Sequence, residues 1–153
     1  MNNELTPVDL IRKHFESKRR CDQAELTKEL AEDVRWWPPV SAERKGIVAR
    51  PIVGSKTMVA HLTTEMYEPD GRTWTIMHLF GDGNLVCARA RLRARVAATG
   101  VDYDNVYTYV FRIENGQITE AWEDFDTAYA YDKLLGHQAG RADNADHAGH
   151  AGH

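Results

Sequence analysis

Apolar residues fall at helical spacing near the start of the chain and again in its middle, and alternate with polar ones over its second half. Val8, Ile11, His14 and Phe15 recur one helical turn apart behind Thr6 and Pro7. A hydroxyl that caps free N–H groups, followed by a proline at the first helical position, is a helix start, so the spacing predicts a helix over 7–19. Asp22 and Glu25 resemble a capping arrangement. With Leu26, Leu30 and Ala31 they predict a second, shorter helix ending before Asp33, and Val34 to Trp37 a strand stopped by Pro38 and Pro39. Residues 40–54 mix a loop-like SAERKG with an apolar run broken by proline, and no element is assigned there. Ser55 can cap a helix carrying Met58, Val59, Leu62 and Met66, closed by the loop EPDGR.

Strict alternation then predicts strands at 73–80, 84–96, 102–113 and 117–125, separated by the turn-rich GDGN, AATG and ENGQ. That is an antiparallel meander. Asp126 and Thr127 can cap a last helix, AYAYDKLL, which Gly136 ends. Helices first and a meander after predict an α+β fold, one domain over 1–136. Residues 137–153, HQAGRADNADHAGHAGH, lack any large apolar side chain and predict a disordered tail. Its His137, His147, His150 and His153 predict at most weak metal binding.

Composition narrows the function classes. The chain has 153 residues, 42% hydrophobic and 27% charged, with a net charge of −4. This favours a globular protein with a real core and opposes general nucleic-acid binding. The start of the chain lacks a secretory pattern and no apolar run approaches the roughly 20 residues of a membrane span, so a cytoplasmic protein without membrane partners is expected. Cys21 and Cys87 have no metal-ligand spacing, and both are expected as free thiols. No phosphate loop, dinucleotide fingerprint or nucleophile elbow is present in the sequence, and no cofactor is expected. In CARARLRAR, Arg89, Arg91, Arg93 and Arg95 occupy one strand face and Ala88, Ala90, Leu92 and Ala94 the other.

The order of elements and the phrases LAEDVRWWPPV, GDGNLVCARARLRAR and VYTYVFRIENGQITEAWEDFDTA resemble the SnoaL-like branch of the nuclear-transport-factor-2-like superfamily, over about residues 6–135. That superfamily holds ketosteroid isomerases, scytalone dehydratase, limonene epoxide hydrolases and polyketide cyclases. The resemblance implies a cone-shaped, curved, antiparallel-rich sheet wrapped around N-terminal helices and enclosing an apolar cavity, commonly in a homodimer. Counted from the turn in FRIENGQI, it puts Ala90, Leu92, Asn105, Tyr107, Tyr109, Ala121 and Glu123 on the inner face. The arginines then face outward, where Asp104, Glu120 and Asp124 offer cross-strand partners.

His78 in TIMHLFG is similar to the segment that supplies the catalytic histidine of scytalone dehydratase, and imidazole titrates near neutrality. The alternative is a hydrogen-bonded sheet histidine. Glu123 falls where epoxide hydrolases and cyclases of the family place a working aspartate, and a carboxyl group in an apolar cavity is a usable proton shuttle. Its alternative is an external ion pair. Asn105, Tyr107 and Tyr109 could polarise a substrate oxygen. His14 falls where ketosteroid isomerases carry an oxyanion-stabilising tyrosine, or is a satisfied core group. Trp36 and Trp37 face opposite sides, and Trp36 is assigned to the cavity wall, favouring aromatic or polycyclic ligands.

Departures matter as much. Pro38 replaces the isomerase base, and Ala90 and Leu92 replace the arginine and aspartate of the epoxide hydrolases, so neither activity transfers. The expectation is a cofactor-independent acid–base enzyme, lyase or isomerase before hydrolase, with His78 and Glu123 catalytic and a small apolar, oxygenated substrate. The alternative is a binding protein that uses the same cavity without catalysis.

Overall fold

The computed structural model describes residues 4–136; the His-rich tail expected as disordered lies outside the described residues. The first helix, α1 (Pro7–Arg19), begins as its sequence dictates: Thr6 Oγ1 accepts from the Asp9 N–H at 3.1 Å, and Lys18 and Arg19 close the last turn. It buries Leu10, Ile11, His14 and Phe15, and the same stripe continues to Ser17 and Lys18. Asp22 caps α2 (Gln23–Glu29) through the Glu25 N–H at 3.1 Å. This helix stops earlier than its apolar spacing implies. Leu30 is already extended and pairs with Ile118, so Leu30 and Ala31 open β1 (Leu30–Trp37).

The unassigned stretch contains α3 (Val40–Arg44), a cis Arg50–Pro51 bond and β2 (Ile52–Val53). Gly54, at φ 97°, and not the Ser55 side chain, sits at the N-cap of α4 (Ser55–Leu62), and Met66 lies beyond the helix. The meander then follows as β3 (Thr73–Asp82), β4 (Leu85–Arg95), β5 (Asp102–Glu114) and β6 (Gln117–Phe125). Between β5 and β6, Asn115 and Gly116 both have positive φ, the requirement of a type I′ hairpin turn. Residues 127–136 are helical.

The sheet runs β2-β1-β6-β5-β4-β3, with β1 parallel to β6 and every other neighbour antiparallel. It is open at both edges, not a closed barrel. Along β4 and β5 the alternation is strict: Val86, Ala88, Ala90 and Leu92 are buried opposite Phe111, Tyr109, Tyr107 and Asn105. Helix α1 packs across β3 and β4 on this inner face, so closely that a Cβ on Gly81 would come within 3.0 Å of Val8.

The arginines occupy the outer face. Arg91 donates to Asp104 at 2.7 Å, Arg93 lies 3.6 Å from the same carboxylate, and Arg95 lies 3.8 Å from Asp102. In solvent these exposed pairs contribute little to stability. Glu120 serves other partners, Arg112 at 2.9 Å, Arg35 at 3.3 Å and the Trp37 indole at 2.8 Å. Cys21 and Cys87 are unpaired. Among the described residues no helix is long and apolar enough to cross a membrane.

Candidate functional site

One end of the inner sheet face, flanked by α3, the segment after α4 and the C-terminal helix, forms a half-open cavity of about 180 Å³. Its walls are largely apolar, aliphatic on the helical side and aromatic on the sheet, with Trp74 from β3, Tyr107 and Tyr109 from β5 and Phe125 from β6. Three charged side chains reach it: Lys18 from the end of α1, Arg72 from the start of β3 and Glu123 from β6. A cavity of about 150 Å³ holds benzene, so this volume suits a single substituted ring better than the polycyclic ligand expected from the sequence.

Lys18 is only 3% exposed. It lies there because the buried stripe of α1, Ile11, His14 and Phe15, reaches position 18 one turn later. Its Nζ donates to the Tyr109 hydroxyl at 3.2 Å and stands 4.1 Å from the Trp74 ring centre, 4.6 Å from that of Tyr109 and 4.7 Å from that of Phe15. Desolved cation–π contacts of this kind contribute about 2 kcal/mol, which offsets part of the cost of burying the charge. Burial nevertheless dominates and lowers the Lys18 pKa to about 7; the charge of Glu123 works against that shift and the charge of Arg72 adds to it.

The phenols form the complementary half. Burial, then the charge and hydrogen bond of Glu123, push the Tyr109 pKa well above its ordinary 10.0. Tyr107 is raised in the same way, by burial first and by the neighbouring phenols Tyr67 and Tyr103 after it. Tyr103 and Tyr107 share a hydrogen bond of 2.6 Å, and the Asn105 amide donates to Tyr103 Oη and to the Asp126 carbonyl, each at 3.1 Å. Phenols held neutral this way remain hydrogen-bond donors over the whole physiological range. The arrangement sets a carboxyl group beside a phenol that can relay a proton and places a cation where a substrate oxygen can meet it.

Of the residues expected at the site, Leu92, Tyr107, Tyr109 and Glu123 line the cavity. Ala90 is fully buried on the inner face yet not in the lining, because α1 lies across β3 and β4 and takes the room that small side chains leave. Asn105 stands behind the wall, reaching Tyr107 only through Tyr103. Trp36 is fully buried in the core, 5.8 Å from Phe111 and 5.9 Å from Tyr109 between ring centres.

His14 is also a core group. Its Nδ1 lies 3.1 Å from Glu29, whose carboxylate also accepts from Ser17 at 2.8 Å and Lys13 at 3.0 Å. Burial lowers its pKa. His78 is exposed on the outer face: a bulge at Met77 lets Ile76 pair with Ala90 but His78 with Arg89. Without that extra residue, parity from Trp74 and Ile76 would point His78 inward. The structure therefore does not bring His78 and Glu123 together.

Sequence reasoning missed Lys18, Arg72 and Trp74. For Lys18 the signal was present, a lysine in register with an apolar helical stripe, but lysine is the residue most readily assigned to a solvated face. For Arg72 nothing local marks it, since it follows the exposed turn Asp70-Gly71.

A family model described as SnoaL-like domain matches residues 11–121. Among solved structures, an NTF2-like protein of unknown function from Burkholderia pseudomallei K96243 superposes with a TM-score of 0.72 at 20% identity, covering 86% of this chain and 99% of that one. IdmH from Streptomyces antibioticus, proposed to be a polyketide cyclase, gives 0.68 at 22% identity over 88% and 99% of the two chains. TerC, crystallised with polyporic acid, gives 0.70 at 14% identity over 84% and 98%. At these identities the likeness is one of fold. No curated protein matches the chain.

Proposed function

The chain belongs to the SnoaL-like domain family, and from that premise we propose that it is an acid–base enzyme of lyase or isomerase type acting on a small aromatic, oxygen-bearing molecule. The observation that carries this reading is the convergence of Lys18, Tyr109 and Glu123 on one aromatic-walled cavity. Glu123 takes a proton from carbon next to a substrate carbonyl. The oxygen that gains negative charge is met by the Lys18 ammonium and the Tyr107 hydroxyl, in a site where fixed dipoles act with little screening. Tyr109, between Lys18 and Glu123, carries the proton to a hydroxyl on the β-carbon, whose C–O bond breaks to release water as the enolate electrons form the new C=C bond, or to another carbon of the enolate, which gives elimination or isomerisation from one set of groups.

That TerC was co-crystallised with polyporic acid supports a small-molecule cavity. Deuterium exchange at the benzylic carbon of phenylacetone in D2O, followed by proton NMR, tests the reading. The wild type should exceed the buffer rate, and Glu123→Gln should lose about 10²–10⁴-fold of that excess. Exchange no faster than buffer would leave the alternative, a binding protein.

The outer face supports a homodimer. Phe80, Cys87, Val110, Trp122 and Trp37 are successive cross-strand partners in one apolar row over five strands, and Phe80 is 62% exposed. A row of this kind needs cover. Val110→Glu should convert a dimer to a monomer in sedimentation; a wild type that sediments as a monomer would refute the pairing.

A further inference from the structure

We infer that the ligand is an acid: an aromatic molecule whose ionised carboxylate docks on the Arg72 guanidinium while its ring lies among Trp74, Tyr107 and Phe125. The inference rests on the cavity being a ligand site, and adds the charge of what enters it. Arg72 is 7% exposed and lines the cavity. Its hydrogen bonds are poor ones. Nη1 donates to the Cys21 sulfur at 2.9 Å, a weak acceptor; Nη2 reaches the Thr64 and Tyr67 carbonyls only at 3.4 and 3.5 Å; and Nε has no partner. The Tyr67 ring lies 5.4 Å from the guanidinium carbon.

Among the described residues no carboxylate stands within ion-pair distance of Arg72, and none does for Lys18. The contrast with the rest of the molecule is direct. The outer-face Arg91, Arg93 and Arg95, with solvent to hydrate them, have acidic partners, whereas Arg72 and Lys18, which lost their solvent, have none within ion-pair distance. A buried, uncompensated charge is among the most destabilising features a small domain can carry. The cavity sets the permanent charge of Arg72, and a Lys18 that burial discharges above about pH 7, against the single carboxyl of Glu123, so an incoming anion answers the guanidinium charge that the protein itself leaves open.

Arginine also selects the shape of that anion. Its planar fork matches a carboxylate with two parallel N–H···O bonds, and Nη1 and Nη2, held only by a sulfur and two distant carbonyls, supply such a pair when they exchange those contacts for the ligand. The cavity volume of about 180 Å³ then holds about one ring of the ligand, since benzene occupies a cavity of about 150 Å³.

Calorimetry with benzoate and benzamide, nearly equal in shape and different in charge, tests this. The wild type should bind benzoate at least about tenfold more tightly than benzamide, and Arg72→Gln, which keeps an amide donor for the loop carbonyls, should abolish that preference while leaving benzamide affinity within about threefold. In the wild type, the Arg72 Nε–Hε NMR signal should shift with benzoate and stay in place with benzamide, so the outcome does not depend on the variant folding. Equal binding of the two probes, or an unmoved Arg72 signal, would overturn the acid assignment and leave the ring-binding cavity standing. Failure of both probes to bind would remove the cavity reading and this inference with it.

Discussion

The fully buried Lys18 is the residue on which site chemistry and stability meet. Its folded pKa of about 7 lies below its ordinary 10.5, so between those values the unfolded chain binds more protons than the native one. Stability therefore rises with pH across that window. Lys18→Met replaces a caged ammonium by an isosteric apolar chain among Phe15, Trp74 and Tyr109; chemical denaturation at pH 7 should show a gain of about 1–4 kcal/mol, and the rise above pH 7 should flatten. On the acid side the signs agree for two other groups. His14 is lowered by burial and Glu29 by its His14, Lys13 and Ser17 bonds, which outweigh its own desolvation. Both stabilise at neutrality, the histidine part being lost as pH falls below about 6.5 and the glutamate part below its ordinary 4.5. Glu29→Gln should weaken the acid dependence of the melting temperature.

Elements were legible where their signals are local. Thr6-Pro7 and Asn115-Gly116 specify a cap and a turn by their own chemistry, and both formed as their sequence implies. Thr6→Ala should cost about 1 kcal/mol, read by denaturant titration. What sequence could not supply were the features set by partners. Leu30 and Ala31 keep helical spacing with Leu26, but pairing with β6 draws Leu30 into a strand. Glu123 faces inward, opposite Tyr109, only because a bulge between Ile118 and Glu120 resets the count from the turn, and the extra residue at Met77 turns His78 outward. Such a bulge has no sequence mark of its own. Gly81 is a similar case: the fit of Val8 against it appears only once α1 is docked. Gly81→Ala should destabilise by about 1–3 kcal/mol through overpacking, without altering ligand binding.

At the scale of the molecule, an open sheet presents one face to α1 and the cavity and the other to solvent, where a row of arginines and an apolar row run side by side. The inner face divides in turn. Near α1 the alanines admit the helix; beyond it Trp74, Tyr107 and Phe125 line space that Lys18, Arg72 and Glu123 electrify. Protein interiors tolerate such groups where function returns the cost. The pH–rate profile of phenylacetone exchange is the most direct measurement of that bargain. If the Lys18 ammonium stabilises the developing oxyanion, the wild-type rate falls as pH rises through about 7, and Lys18→Met loses both that limb and about 10²–10³-fold in rate. A rate that is the same in wild type and Lys18→Met across this range would contradict it.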